Sequence, residues 1–369
     1  MKKSTAVAGL KKQVLEVPAY TLRAHVDGIK LNQNENPYDF PEDLKEEVFR
    51  RFRARAWSRY PDFVPDELRE RLAAFAGWKK EGVLVGNGSN ELLQATLMVV
   101  VNERAQVGIP VPTFTVYGLV ARILGGRIVS LPLDADMRYD VEGMIASCEE
   151  QGIRLLIVCT PNNPTGSMLD NEGLRQILER FSGYVLLDEA YYEFCGKTGM
   201  EFLERYPRLV ITRTFSKAMG MAGLRVGYLM GHPELVTQIA KAKLPYNVNQ
   251  FSLTAAEVAL EHLDRFRPSI DAILRERDRL GARLAAVPGV KVYPSGANFF
   301  LFEVPAAPRA VFEELYREGI VVRDVSSYPM LQRCLRVSVG TPEENERFLS
   351  ALGLALERLQ ATAVAEPTR

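Results

Sequence analysis

At 369 residues the chain exceeds what one hydrophobic core usually holds, so one large and one smaller domain are expected. Lys+Arg and Asp+Glu are both 46, a balance that argues against a nucleic-acid or anionic-membrane partner. The cysteines Cys148, Cys159, Cys195 and Cys334 form no CxxC pair, and His25, His232 and His262 are too few for a multi-histidine centre. Neither a disulfide framework nor a metal site is therefore expected.

At the amino terminus, Met1-Lys2-Lys3 is followed by an apolar stretch that Lys11-Lys12 interrupts too soon for a signal sequence. No run approaches the roughly 18 apolar residues of a membrane span. A soluble, cytoplasmic protein is expected. Short β-branched runs then predict strands at Val83-Gly86, Val107-Ile109, Arg127-Leu131, Leu155-Cys159, Tyr184-Leu187 and Leu209-Thr212. Several are apolar at successive positions, the pattern of strands buried on both faces of a mainly parallel sheet. Asn90-Val100 and Asn171-Phe181 carry helical apolar spacing between them. The fold class is α/β, and ligands of such sheets gather at the carboxyl ends of the strands.

After about Phe251 the character changes. A long helical stretch runs from Leu253 to Leu284, with Pro268 as a kink or break. Shorter alternating strands follow at Val290-Tyr293, Phe299-Glu303 and Leu335-Val339. Thr341-Pro342-Glu343-Glu344 predicts the start of a last helix, with an N-cap, a proline in its first turn and a capping-box glutamate. The tail from Ala361 to Arg369 is expected to fray. This organisation gives a large domain over 46–262, a smaller α+β domain over 263–369, and an amino-terminal segment, 1–45, joining them.

Four motifs fall at the ends of the predicted strands. Gly86-Asn87-Gly88-Ser89-Asn90-Glu91 lies between a strand and a helix, where backbone amides and a helix start can meet an anion. It is no Walker loop, because no Gly-Lys-Ser/Thr follows. Pro161-Asn162-Asn163-Pro164-Thr165-Gly166 is a tight strand-end loop that could aim the Asn163 amide at a ring oxygen, with Thr165-Gly166 leading into the next helix. Its residues are also ordinary turn formers. Asp188-Glu189-Ala190-Tyr191 ends the apolar run Val185-Leu186-Leu187, and a carboxylate there wants a cation such as a protonated ring nitrogen. Without one, Asp188 would read as a helix cap. Finally, Phe215-Ser216-Lys217 opens a Gly-rich turn that reaches Arg225. It joins an amine for a carbonyl cofactor to a hydroxyl and a guanidinium for its phosphate.

In this order the four motifs resemble the fold-type-I, aspartate-aminotransferase-like superfamily of pyridoxal-phosphate enzymes, over nearly the whole chain. The resemblance implies a mainly parallel mixed sheet sandwiched by helices, with pyridoxal 5'-phosphate as cofactor. It implies that Lys217 attaches the cofactor covalently and then serves as the base in the 1,3-proton shift. Asp188 would pair with the ring nitrogen, Asn163 and Tyr191 would hold the ring hydroxyl, and Phe114 would stack on the ring. Gly88, Ser89, Asn90, Thr214, Ser216 and Arg225 would form the phosphate cup.

The segments Val17-Pro18-Ala19-Tyr20, Leu31-Asn32-Gln33-Asn34-Glu35-Asn36-Pro37-Tyr38 and Ser58-Arg59-Tyr60-Pro61-Asp62 narrow the resemblance to the histidinol-phosphate aminotransferases. Asp39 departs from that pattern, which has glycine after Asn-Pro-Tyr. The resemblance implies a homodimer with shared sites, in which Tyr60 reaches the cofactor phosphate of the neighbouring subunit. Arg323 and Arg336, in Gly319–Asp324 and Cys334–Gly340, are the expected anion anchors, since arginine clamps phosphate or carboxylate in bidentate fashion. Tyr20, Asn36 and Tyr246 are further candidates for the substrate pocket. The implied reaction interconverts L-histidinol phosphate plus 2-oxoglutarate and imidazole-acetol phosphate plus L-glutamate. An aromatic or broad-specificity aminotransferase and a phosphothreonine decarboxylase remain as alternatives. A non-enzymatic cofactor-binding regulator fits less well, lacking a spare amino-terminal domain and a basic surplus.

Overall fold

The computed structural model describes residues 5–17 and 28–365. Its strands in chain order are β1 (Ile29–Lys30), β2 (Val83–Gly86), β3 (Gln106–Val111), β4 (Arg127–Pro132), β5 (Ile153–Cys159), β6 (Tyr184–Asp188) and β7 (Leu209–Thr214). They continue with β8 (Gly227–Gly231), β9 (Lys291–Val292), β10 (Phe299–Glu303), β11 (Ile320–Val321), β12 (Arg323–Asp324) and β13 (Cys334–Ser338).

Seven strands form the large sheet in the order β2-β8-β7-β6-β5-β3-β4. The pairs from β7 through β4 are parallel, and β8 alone runs against its neighbours. β2 therefore points the same way as β5, β6 and β7, and all four deliver their carboxyl ends to one edge. Every residue of β7 is buried, as are four of the five in β6, so the continuous apolar runs reflect cover on both faces. The helix Ser89–Val100 packs on β2, β7 and β8.

β8 escaped the sequence reading because it begins and ends in glycine. The first of these is forced by packing: a Cβ on Gly227 would lie 2.3 Å from the Ser89 nitrogen and 2.6 Å from the Gly88 carbonyl carbon. The glycine lets the loop after β2 lie directly on β8.

The smaller sheet has the order β12-β13-β10-β9, all antiparallel. β1 joins β11 in a separate parallel pair, which ties the amino-terminal segment to this end of the molecule. Pro268 does not kink a long helix. One helix stops at Glu261, and a new one begins at Arg267 with Pro268 in its first turn, where a missing N–H costs nothing. The last helix, Pro342–Ala365, continues past Ala361, where fraying was expected. Its start carries the anticipated capping box: Glu344 N donates to Thr341 Oγ1 at 3.3 Å and Thr341 N to Glu344 Oε2 at 2.8 Å.

Candidate active site

A cavity of about 280 Å³ opens at the carboxyl edge of the large sheet and is closed on its other side by β12, β13 and the segment Asn32–Asn34. Its lining includes Asp188 from the end of β6, Thr214 from the end of β7, and Lys217 just beyond. Strand direction accounts for this convergence, since neighbouring parallel strands release their loops side by side.

Asp188 is buried, and its Oδ2 accepts from Tyr117 Oη at 2.6 Å while Oδ1 accepts from Ala190 N at 3.2 Å. Burial holds its carboxyl above the ordinary carboxylate value, and the Tyr117 hydrogen bond opposes that rise. Such a group gains from a cation placed beside it. Its neighbour Glu189 faces the opposite side of the sheet and carries a structural load. Glu189 is fully buried against Arg213 at 2.8 Å, and its second oxygen accepts from Gly199 N at 2.7 Å. Alternation carried one residue past the end of β6 thus separates a carboxylate lining the cavity from one locked in the core.

Lys217 Nζ donates to the Gln33 carbonyl at 2.8 Å. Burial, then the nearby Arg336, lowers its amine from 10.5 to about 7. A lysine in this state is substantially neutral near neutrality, which nucleophilic attack and proton abstraction both need. Asn36, expected among the substrate contacts, instead donates to the Ala218 carbonyl at 2.9 Å and accepts from Tyr38 N at 2.9 Å. It shapes the lysine turn and does not line this cavity.

At one end of the cavity lie Ser89, Asn90, Thr214, Ser216 and Arg225. Thr214 Oγ1 donates to Ser216 Oγ at 2.9 Å, and Arg225 Nη1 donates to the same Ser216 oxygen at 3.2 Å. Gly88 has φ +79°, and a Cβ there would sit 2.5 Å from Arg225 Nη2. Hydroxyls, a guanidinium and the first amides of the helix Ser89–Val100 suit a phosphate. At the opposite wall, Arg323 and Arg336 are direct cross-strand partners, and both line the cavity. Like charges at such a position repel, so a second anion between them removes a penalty.

Between these ends stand Phe114, Asn163 and Tyr191. Asn163 Oδ1 accepts from Arg336 Nη1, which leaves its amide nitrogen for another partner. The adjacent Asn162 is wholly buried and stitches the loop, donating to Thr165 Oγ1 at 2.8 Å and to the Pro112 carbonyl at 2.9 Å. Thr165-Gly166 does not lead straight into the next helix, which starts at Asn171. Gly166 instead folds back, its N–H donating to the Asn162 carbonyl at 2.7 Å.

Tyr60 and Tyr246 are not at this cavity. They stack on each other at 4.5 Å on the surface, where Tyr60 is 80% exposed. Tyr20 lies outside the described residues. The sequence reading missed Tyr117, Tyr328 and the inward role of Asn32, Gln33 and Asn34, all of which line the cavity. Tyr117 stands three residues after Phe114, and Asn32, Gln33 and Asn34 lay in a motif already noted, without an indication that they face the cavity.

Residues 26–352 match the family model for aminotransferase class I and II. The chain belongs to this family. It is 38% identical over 338 residues to a histidinol-phosphate aminotransferase of Chlorobaculum parvum, covering 91% of this chain and 95% of that one. Among solved structures, a histidinol-phosphate aminotransferase from Sinorhizobium meliloti in complex with pyridoxal-5'-phosphate superposes with a TM-score of 0.87 at 25% identity, over 96% and 99% of the two chains. The L-threonine-O-3-phosphate decarboxylase of Porphyromonas gingivalis shares the fold, with a TM-score of 0.79 at 23% identity over 89% and 99%. The aminotransferase family and its fold-type-I architecture thus stand, and the fold alone does not separate transaminase from decarboxylase.

Proposed function

We propose that this protein is a pyridoxal-phosphate-dependent transaminase that interconverts L-histidinol phosphate plus 2-oxoglutarate and imidazole-acetol phosphate plus L-glutamate in histidine biosynthesis. The observation that carries the reading is a cavity with a guanidinium from Arg225 at one end and those of Arg323 and Arg336 at the other, lined also by Lys217 and Asp188. One end accommodates the cofactor phosphate, and the Arg323–Arg336 pair accommodates the phosphomonoester of the substrate. When bound, pyridoxal phosphate supplies an aldehyde for amino-group exchange and a ring that accepts electron density from the substrate carbon.

The chain's own residues supply position and proton control. Lys217 would provide the amine that holds the cofactor and the base that moves the substrate's proton. Asp188 would keep the ring nitrogen protonated. Asn163 and Tyr191 would hold the ring hydroxyl, Phe114 would cover the ring face, and Gly88, Ser89, Asn90, Thr214, Ser216 and Arg225 would take the phosphate. The donor set fits such a group, because a buried acid with a raised pKa and a cradle closed by Gly88 are both explained by it.

The exposed surface around Tyr60 supports a homodimer with shared sites. Trp57, Tyr60, Phe63 and Leu244 are 74%, 80%, 59% and 73% exposed, large apolar side chains of the kind that gather at interaction surfaces. On this reading Tyr60 reaches the cofactor phosphate of the neighbouring subunit, and Tyr246 backs it. We assign residues 46–262 and 263–369 to a large and a small domain joined by 1–45. No helix among the described residues is long and apolar enough to cross a membrane. A cytoplasmic location accords with four free cysteines.

A half-reaction panel tests the proposal. The cofactor-loaded protein is mixed in turn with histidinol phosphate, glutamate, phenylalanine and phosphothreonine, and the visible spectrum is followed. Fast conversion by histidinol phosphate and glutamate is the expected result. Faster conversion by phenylalanine would favour the aromatic reading, and carbon dioxide released from phosphothreonine the decarboxylase.

A further inference from the structure

The segment Asn32–Asn34 touches three working groups at successive residues. The Asn32 carbonyl accepts from Arg336 Nη2 at 2.6 Å, the Gln33 carbonyl from Lys217 Nζ at 2.8 Å, and Asn34 Nδ2 donates to Tyr191 Oη at 3.0 Å. Asn34 is the most constrained of the three. It is 1% exposed and holds φ +54°, a left-handed conformation uncommon outside glycine.

Its remaining polar groups are all engaged by the smaller sheet and its flank. Asn34 N donates to Ser338 Oγ at 2.9 Å, Ser338 Oγ donates to Asn34 Oδ1 at 3.1 Å, and Asn298 Nδ2 donates to the Asn34 carbonyl at 3.2 Å. This set also fixes which way the amide faces. Ser338 Oγ already accepts from the Asn34 backbone, so its single proton goes to the side-chain oxygen, and the NH2 is left for Tyr191. The phenol is gripped from the same place on its other side. Phe299, the register partner of Ser338, meets the Tyr191 ring edge-on at 5.2 Å.

We infer that Asn34 is a positioning residue. By donating to the Tyr191 oxygen it occupies one lone pair and turns the phenol's only proton into the cavity. A hydroxyl held in this way is a better directed donor than one free to rotate. The smaller sheet thereby sets the orientation of Tyr191, although that residue belongs to the loop after β6. Charged and titratable groups facing the phenol are Arg336, Asp188, Cys159 and Lys217, whose Nζ is 5.7 Å from the ring centre. Burial raises the phenol well above its ordinary value, and Arg336 and the Asn34 hydrogen bond oppose the rise.

The inference rests on the reading that pyridoxal phosphate binds here and that Tyr191 donates to its ring oxygen. Weaker donation leaves that oxygen more basic, so the covalently held cofactor retains its proton to higher pH. The test is the pH midpoint of the bound cofactor's visible band. Asn34→Gly suits it, because glycine keeps the left-handed backbone and removes only the amide. The midpoint should rise by roughly half a unit, the scale of one neutral hydrogen bond. Asn34→Asp, which accepts from the phenol instead of donating to it, should raise it further.

In a Tyr191→Phe background the same Asn34→Gly change should add no shift, an outcome that a general loosening of the site would not give. Ser338→Ala, which unpins the amide and also removes the acceptor of the Asn34 N–H, should shift the midpoint in the same direction by less. It decides the matter if Asn34→Gly fails to fold. An unchanged midpoint in Asn34→Gly, or an equal shift without the phenol, would overturn the inference. A wild-type protein with no visible band at all would remove the cofactor reading, and this inference with it.

Discussion

The two walls of the cavity are built in different ways. The wall from the large sheet consists of strand-end loops, and its phosphate-cup contacts are local: Thr214 to Ser216, and Arg225 to Ser216. The facing wall is assembled from distant parts of the chain. Asn34 meets Tyr191 across 157 positions and Ser338 across 304, and Arg336 reaches the Asn32 carbonyl across 304. On the proposed reading the first wall holds the cofactor, and the second is where a particular substrate would be told from others. Local contacts survive rearrangement of the second wall, so specificity can change while the cofactor site stays intact.

That contrast can be broken in order of expected effect. On the first wall, Lys217→Ala should lower transamination by about 10⁴-fold, since it removes both the amine and the proton carrier. Measured turnover within tenfold of wild type would place the proton transfer elsewhere. The low amine value adds a pH signature. The rate at which pyridoxal phosphate attaches should climb as pH rises through about 7 and then level off. The sign follows from charge: the amine is protonated and inert below that value, and neutral above it. A climb continuing towards 10.5, the ordinary lysine value, would contradict the burial argument.

On the second wall, Arg323→Ala should raise KM for histidinol phosphate about tenfold to a hundredfold, the worth of one charge-assisted contact. Turnover of phenylalanine should hardly change, and equal losses on both substrates would merge the two walls into one. A smaller effect is expected from outside both. Tyr60→Ala should weaken cofactor binding by about tenfold, as the loss of one hydrogen bond to a phosphate would. Unaltered affinity in a protein that remains dimeric would place Tyr60 away from the neighbouring site. The smallest change is distant from the chemistry. Thr341→Ala removes the cap of the last helix and should cost about 1 kcal/mol of stability, read from denaturant melts, with KM unmoved.

The same division explains what could be read in the sequence. Alternation of buried strands with helices made the large sheet legible, because covered strands must be apolar throughout. The motifs around Asp188, Asn163 and Lys217 were legible because each is a short stretch whose residue types have few structural reasons to occur together. β8 was not, since Gly227 at its start answers to the backbone of Gly88 and Ser89 pressed against it, a contact made only after folding. The Asn34 clamp was equally hidden. Nothing near position 34 indicates that a serine at 338 and an asparagine at 298 will hold it. Tyr60 and Tyr246, expected at the site, stack on each other at the surface of the chain, and the role proposed for Tyr60 is one between subunits.

The central claim is that one amine, Lys217, carries the cofactor in a cavity it shares with Asp188. The direct measurement is to load the protein with pyridoxal phosphate, reduce it with borohydride, digest it and locate the modified lysine by mass spectrometry. A single modified site at Lys217, with Asp188→Asn loading markedly less well, is the predicted result. A label on any other lysine, or none, would contradict the account.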